Sequence, residues 1–158
     1  MAQIMDGFQE GVVRTAHAEG EITIAYQIAG SGPPLLLLHG FPQTKMIWHR
    51  VAPALAEHFT VIASDLRGYG ASSKPPGLTD HSNYSKRAMA SDQAQLMNAL
   101  GFSQYSVLGH DRGGRVAHRL SLDYGDQVNK LMVLDISPTL AMYEQTTMQF
   151  ASSYWHWF

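Results

Sequence analysis

The sequence contains no cysteine, which excludes disulfide bonds and metal sites built on thiolates. It also lacks a long apolar run and a charged-then-apolar segment near its beginning, which argues against a membrane span and against export. Charge of either sign is sparse: 13 acidic and 11 basic residues leave a net charge of −2. That balance indicates neither nucleic acid nor an anionic membrane as a partner. These absences together predict a soluble, cytoplasmic protein.

The residues that are present predict one α/β domain. A chain of 158 residues that is 45% hydrophobic can form an ordinary core. A β-hairpin is predicted at 12–17 and 22–28, after a loose leader at 1–10. Short apolar runs bounded by chain breakers then predict buried strands, and helical patterns alternate with them. The strands are expected at 35–38, 60–63, 105–109 and 131–134, and the helices at 44–56, 84–100 and 112–124. This order is typical of a doubly wound, mostly parallel sheet.

Polar side chains directly follow each of the four predicted strands. They are His39, Asp65, Asp111 and Asp135. In sheets of this class, ligands bind outside the carboxyl ends of the strands. We therefore expect these groups to lie along one rim of the sheet.

The segment Gly109-His-Asp-Arg-Gly-Gly-Arg115 has the spacing of a nucleophile elbow, a tight turn from a strand into a helix. The central position usually holds serine, and here it holds Asp111. A carboxylate at a helix N-terminus is favoured in its ionised form. It is suited to displacing a leaving group from a saturated carbon, which forms a covalent ester. The alternative is that Asp111 is only the N-cap of the helix, a position that aspartate fills well.

Two arginines lie in the first turn of the helix after the elbow. Arg112 and Arg115 are three residues apart and therefore share a face with each other and with Asp111. Paired guanidinium groups bind a carboxylate well. The alternative is that both are ordinary surface arginines paired with acidic residues, which is what we expect of Arg119.

Three separated motifs resemble those of the haloacetate (fluoroacetate) dehalogenases of the α/β-hydrolase superfamily. They are His39-Gly-Phe-Pro42, Arg67-Gly-Tyr-Gly-Ala-Ser72 and Gly109–Arg115, and the resemblance runs from about residue 20 to the last residue. It implies the N-terminal portion of an α/β-hydrolase fold, with an incomplete core at 1–138 and the beginning of a lid at 139–158. The implied activity is hydrolytic dehalogenation of a short 2-haloacid through a covalent ester, as in haloacetate to glycolate plus halide.

The resemblance also implies a role for individual residues near the elbow. Asp111 matches the nucleophile, and the backbone N–H groups of Phe41 and Arg112 match the oxyanion hole. Arg112 and Arg115 match the pair that binds the substrate carboxylate. Asp135 matches the acid that orients a catalytic histidine, although the residues alone are equally consistent with a cap on the turn that follows it.

The resemblance extends to the last residues of the sequence, where His156 and Trp157 match two halide-binding groups. The alternative is that Tyr154–Phe158 is an apolar lid packed on the core. The histidine of the triad and a halide-binding tyrosine are expected beyond Phe158. We therefore expect the C-terminal remainder of the fold to be a partner, in the same or a separate chain, and the 158 residues alone not to turn over. A homodimer is also possible.

No cofactor is expected from the motifs. The histidines show no metal-binding spacing, and Gly109–Gly114 lacks the features of a nucleotide-binding loop. Two other readings of the function stay open. An epoxide hydrolase of the same fold shares the His-Gly-Phe-Pro loop and the aspartate but generally has tryptophan where this chain has Arg112. A binding protein of the α/β-hydrolase fold without catalysis is the other.

Overall fold

The computed structural model describes residues 4–18 and 20–155, which form one six-stranded sheet with helices on both faces. The strands are β1 (Gln9–His17), β2 (Gly20–Ala29), β3 (Pro34–Leu38), β4 (Thr60–Ser64), β5 (Tyr105–His110) and β6 (Val128–Leu134). Their order across the sheet is β1-β2-β4-β3-β5-β6. The pairs β1–β2 and β2–β4 are antiparallel, and the others are parallel. The prediction of a mostly parallel α/β sheet preceded by a hairpin is confirmed.

Helices cover the two faces in separate groups. A 3₁₀ helix (Lys45–Arg50) and α1 (Ala52–Ala56) pack on one face, and α2 (Lys86–Ala99) and α3 (Arg112–Asp123) pack on the other. A second 3₁₀ helix (Ser82–Tyr84) precedes α2, and α4 (Thr139–Glu144) and α5 (Met148–Ser153) follow β6. Within the described residues, no helix is both long enough and apolar enough to cross a membrane.

The central strand β3 explains why a short, wholly apolar run forms the middle of the sheet. Leu36 and Leu38 belong to the core under α2 and α3, while Leu37 belongs to the core on the opposite face. All three side chains are fully buried. The pleat sends alternate side chains to opposite faces, so a strand covered on both faces needs apolar residues at every position.

The predicted helix over 44–56 is wrong as a single element, because a 3₁₀ helix and α1 replace it. Thr44 does cap the first of them, and its Oγ1 accepts a hydrogen bond of 3.3 Å from the N–H of Met46. Pro53 lies in the first turn of α1. Proline has no N–H to donate, and its ring would clash with the carbonyl four residues earlier, so a continuous helix cannot pass through it.

The last strand differs from its prediction in length and burial. It begins at Val128 instead of Leu131, and Leu131, Met132, Val133 and Leu134 are all exposed, Met132 to 59%. Among the described residues, β6 pairs only with β5 and forms an edge of the sheet. The apolar run correctly predicted a strand. Its composition does not show whether other elements cover the two faces of that strand.

The loose leader predicted at 1–10 is also wrong where it is described. Met5 and Phe8 are buried, at 3% and 7% exposure, in the core beneath α1. The N–H of Met5 donates a 3.0 Å hydrogen bond to the side-chain oxygen of Gln27 on β2. Two isolated apolar residues without periodicity gave no signal of this packing.

Candidate active site

The carboxyl ends of the parallel strands form one rim, where the sheet changes its direction of winding. β3 lies between β4 and β5, so the loops after β3 and β5 meet at the point where a crevice forms. The structure places all four predicted rim residues directly after their strands: His39, Asp65, Asp111 and Asp135. Their surroundings differ, however, and only some of them face open space.

Asp111 occupies a strained position between β5 and α3. Its φ of 49° and ψ of −119° are rarely adopted by a residue with a side chain, and such a conformation costs about 1–3 kcal/mol. The glycines around it make this possible. A Cβ on Gly109 would lie against the carbonyl of Gly113, and one on Gly113 against the carbonyls of Leu38 and His39. The sequence prediction of a tight strand-to-helix elbow is confirmed in its geometry.

The side chain of Asp111 is held from the loop after β3. Its Oδ1 accepts a 2.9 Å hydrogen bond from the backbone N–H of Phe41, and its own N–H donates to the carbonyl of Leu134 at 3.1 Å. A Cβ on Gly40 would lie 2.5 Å from the Cβ of Asp111, so only glycine leaves room here. The Asp111 side chain makes no capping hydrogen bond to α3. The alternative of a plain N-cap therefore does not describe this carboxylate.

The two arginines of the elbow lie in different surroundings. Arg112 is exposed, and its guanidinium lies 4.8 Å from the centre of the Phe41 ring. Arg115 is half-buried, and burial lowers its pKa, while the charges of Tyr143 and Asp111 raise it. Arg115 thus lies within electrostatic range of both Arg112 and Asp111. Arg119 instead pairs with Asp123 one turn further along α3, as expected.

Asp135 is the most exposed of the rim carboxylates, with 90% of its side chain accessible. Its Oδ2 lies 3.9 Å from Nε2 of His110, which is too long for a hydrogen bond. Within residues 4–18 and 20–155, no histidine is hydrogen-bonded to Asp135. The carboxylate is therefore open to a group approaching the rim.

The predicted halide-binding residues His156 and Trp157 lie outside the described residues. Their neighbours Tyr154 and Trp155 are exposed, at 46% and 74%. The alternative that this terminal segment packs on the core stays a prediction.

Asp65 is a structural group and not an open one. Its carboxylate accepts hydrogen bonds from the backbone N–H and the Nζ of Lys45, both at 2.7 Å, and from the N–H of Ala71 at 2.9 Å. Burial by itself raises the pKa of Asp65, but the bonds from Lys45 and Ala71 outweigh it and the pKa lies below its ordinary value. This ion pair fixes the loops after β3 and β4 against each other.

His39 is likewise buried, and it holds the loop after β3 in place. Its Nδ1 donates to the carbonyl of Gly40 at 2.8 Å, and its Nε2 accepts from the N–H of Leu66 at 3.0 Å. Burial lowers the pKa of His39, so the neutral imidazole that this bonding pattern requires is the favoured form. Sequence spacing placed His39 and Asp65 at the rim but did not show that their polar atoms point inward.

A cavity of about 530 Å³ opens beside the elbow, between α3, β6 and the segment that precedes α4. Arg115 lines it, together with Lys86 at the beginning of α2, while Asp111 does not. The cavity therefore adjoins the elbow without containing the side chain of Asp111. A lone lysine at the start of a helix belongs to no motif, so the sequence gives no signal for Lys86. Among the described residues, no group of three or more possible metal ligands comes together.

The strand order, the elbow and the loop that faces it define an α/β hydrolase. A family model described as the alpha/beta hydrolase fold matches residues 33–158, and the chain belongs to this family.

Several individual proteins are similar to this chain. The chain is 56% identical over 149 residues to fluoroacetate dehalogenase from Burkholderia sp, a match that covers 94% of this chain and 49% of that protein. It is 50% identical over 115 residues to soluble epoxide hydrolase from Corynebacterium sp. (strain C12), covering 73% of this chain and 38% of that one. A solved α/β hydrolase from Nostoc sp PCC 7120 is 52% identical with a TM-score of 0.91, over 98% of this chain and 52% of that one. The chain thus spans about half the length, or less, of the relatives it matches.

Proposed function

We propose that this chain carries the nucleophile and the carboxylate-binding groups of a hydrolase that removes halide from short 2-haloacids. One observation carries the proposal: a strained elbow presents Asp111, with Arg112 and Arg115 in the next helical turn. The identity of 56% to a fluoroacetate dehalogenase supports the same substrate class.

In the first step, a carboxylate oxygen of Asp111 attacks the saturated carbon that bears the halogen. The carbon–halogen bond breaks as the new carbon–oxygen bond forms, and the halide leaves with the bonding electron pair. The product is an ester between Asp111 and the acetate unit. The proposed halide site at His156 and Trp157 offers ring N–H donors without adding negative charge.

In the second step, water attacks the carbonyl carbon of that ester and the bond to the glycolate oxygen breaks. The negative charge that develops on the carbonyl oxygen needs donors already in place. The N–H of Phe41 lies 2.9 Å from Asp111 Oδ1, and we assign it to the oxyanion hole with the N–H of Arg112. Asp135 orients a histidine, supplied by the remainder of the fold, that takes the proton from water and passes it to the departing glycolate oxygen.

The arginines address an electrostatic difficulty of this reaction. A haloacetate and Asp111 are both anions, and two unit charges about 4 Å apart repel by about 4 kcal/mol at an effective dielectric of 20. Guanidinium groups of Arg112 and Arg115 on the substrate carboxylate offset that repulsion and fix the carbon in front of the nucleophile.

An epoxide hydrolase is the second candidate, because the chain is 50% identical to one of these enzymes over 115 residues. A neutral epoxide would use Asp111 in the same way but would leave Arg112 and Arg115 without an anion. A binding protein of this fold, the third reading, would bind carboxylates and release no halide.

The test is a halide-release assay with the complete protein on chloroacetate and fluoroacetate, and diol formation from a styrene-type epoxide. We expect halide release, loss of it in Asp111→Asn, and normal activity in Asp123→Asn at the far end of α3. Diol without halide favours the epoxide hydrolase, and carboxylate binding without either product favours the binding protein.

Intact-mass analysis separates the two steps. In Asp135→Asn we expect a covalent adduct of one carboxymethyl group on Asp111 to accumulate after exposure to fluoroacetate, because only ester hydrolysis is slowed. The 158 residues alone would release one halide per chain and stay alkylated. Repeated turnover by them would contradict the proposed need for a histidine outside this chain.

A further inference from the structure

Arg112 contacts two aromatic side chains instead of a carboxylate. Its guanidinium lies over the Phe41 ring, 4.8 Å from the ring centre, which is within the distance of a cation–π contact. Its Nη1 lies 3.5 Å from Oη of Tyr69, at the outer limit of a hydrogen bond. Among residues 4–18 and 20–155, no carboxylate forms an ion pair with Arg112. Arg119 in the same helix, by contrast, pairs with Asp123.

The Phe41 ring belongs to a fixed loop, although the residue itself is 57% exposed. Its backbone N–H donates to Oδ1 of Asp111 at 2.9 Å, and the N–H of Gln43 closes the same turn by donating to the carbonyl of Gly40 at 3.1 Å. One residue therefore contacts the carboxylate of Asp111 through its backbone and the cation of Arg112 through its ring. The positions of these two charges are thus linked.

Tyr69 lies on the loop after β4, where its ring packs against the imidazole of His39. The two rings meet edge to face, with their centres 5.1 Å apart and their planes at 72°. His39 is fully buried, and both of its ring nitrogens are hydrogen-bonded, to the carbonyl of Gly40 and to the N–H of Leu66. The N–H of Tyr69 donates to the carbonyl of Leu66 at 3.0 Å. The hydroxyl of Tyr69 is therefore carried by a well-fixed ring.

These contacts come from the middle of the sheet. Phe41, Tyr69 and Arg112 follow β3, β4 and β5, and each of these strands has a neighbouring strand on both sides. The exposed strand β6 contributes none of the three side chains. The arrangement therefore does not depend on what covers β6.

We propose that Phe41 and Tyr69 are positioning residues whose side chains hold the Arg112 guanidinium in the orientation in which it binds a carboxylate. The inference rests on the proposed function, because it takes a short carboxylate as the anion that Arg112 binds. An aromatic face orients a guanidinium without neutralising it. An aspartate or glutamate in the same place would instead compete with the substrate for the cation.

The planar shape of the guanidinium makes this arrangement effective. Arginine can stack on a ring while the donors at its edge bind both oxygens of a carboxylate. Ordering a mobile arginine only when the substrate binds lowers affinity, and the two aromatic contacts reduce that loss because they order it beforehand. Loss of either contact should therefore weaken carboxylate binding without moving Asp111.

A double-mutant cycle in the complete protein tests whether both side chains act through Arg112. Chloroacetate binding is measured by calorimetry in the background Asp111→Asn, which lacks the nucleophilic carboxylate but keeps an oxygen that can accept from the N–H of Phe41. Exposed cation–π contacts are weak, so we expect Phe41→Leu and Tyr69→Phe each to raise the Kd about two- to fivefold. With Arg112→Gln also present, neither substitution should have a further effect.

Conservative variants separate positioning from a general disturbance of the elbow. Phe41→Tyr keeps the aromatic face and should bind chloroacetate like the background, whereas Phe41→Leu loses the ring and keeps the backbone N–H. Tyr124→Phe removes a hydroxyl at the end of α3 and is the matched control for Tyr69→Phe, with an unchanged Kd. Circular dichroism confirms that each variant is folded. A disturbed elbow would weaken binding equally with and without Arg112.

The binding cycle requires no turnover, so its failure and that of the proposed function are distinguishable. If the effects of Phe41→Leu and Tyr69→Phe vanish in Arg112→Gln while the wild type releases no halide, the positioning role stands and the proposed function fails. If halide is released but both substitutions weaken binding as much in Arg112→Gln as in its absence, the positioning role is refuted. An unchanged Kd in Phe41→Leu or Tyr69→Phe refutes the role of that residue.

Discussion

Removing the charge of Asp92 should lower the stability of the fold more than removing the charge of an exposed carboxylate, because Asp92 is the centre of a buried hydrogen-bond network. Asp92 lies on α2 and is fully buried, as is Arg67 in the loop after β4. Its Oδ1 accepts from Thr15 Oγ1 and Arg67 Nη2, and its Oδ2 accepts from Arg67 Nε, each at 2.9 Å. Arg67 also donates to the carbonyl of Asn83 at 2.7 Å. The network joins β1, α2 and the loop after β4.

The substitution Asp92→Asn preserves the shape of the side chain and removes its charge. The guanidinium of Arg67 cannot deprotonate, so it stays charged and buried without its carboxylate. Breaking a buried ion pair by altering one partner costs about 3–5 kcal/mol. At about 2–4 °C per kcal/mol for a chain of this size, the Tm should fall by about 6–20 °C.

Thermal unfolding followed by circular dichroism measures this effect against a matched control. Asp123→Asn makes the same chemical change in a carboxylate that pairs with Arg119 and Arg87 at the surface. Exposed pairs contribute little because water and salt screen them, so this variant should unfold close to the wild type. Similar Tm values for the two variants would refute the argument that burial decides the worth of the pair.

Two further predictions concern the loops that support the site. The pKa of Asp65 is lower in the folded than in the unfolded chain, so its ion pair with Lys45 stabilises the fold at pH values above the unfolded-state pKa, and this stabilisation is lost as the pH falls through the folded-state pKa. Lys45→Met should therefore move the midpoint of acid unfolding to higher pH. A midpoint equal to that of Lys130→Met, a variant at an exposed lysine, would contradict this. Gly113→Ala should cost about 3 kcal/mol or more in urea unfolding, because its Cβ would overlap two backbone carbonyls at the end of β3 that cannot move aside. Gly77→Ala, whose added methyl meets only an exposed side chain at 3.2 Å, should unfold like the wild type, and equal behaviour of the two glycine variants would show that the elbow is not tightly packed.

Local sequence was sufficient for the order of elements and for the elbow. Apolar runs bounded by glycine and proline predicted β3 and β5 because burial on both faces demands apolar residues at every position. The glycines at 109 and 113 predicted the tight turn around Asp111, because their small size is needed wherever backbones approach closely. These properties depend on a few consecutive residues, and they define the class of the protein and the residue type at the elbow.

Contacts between distant segments were decided only by the tertiary structure. The spacing of the motifs placed His39 and Asp65 at the rim, yet only packing shows that both are buried and support the loops, while Asp111 is held by a residue 70 positions earlier. The same holds for Lys86, which lines the same cavity as Arg115 only because the fold brings α2 and α3 together. Sequence patterns carry the conformation of neighbouring residues, whereas charge pairing and burial depend on which elements the fold brings together.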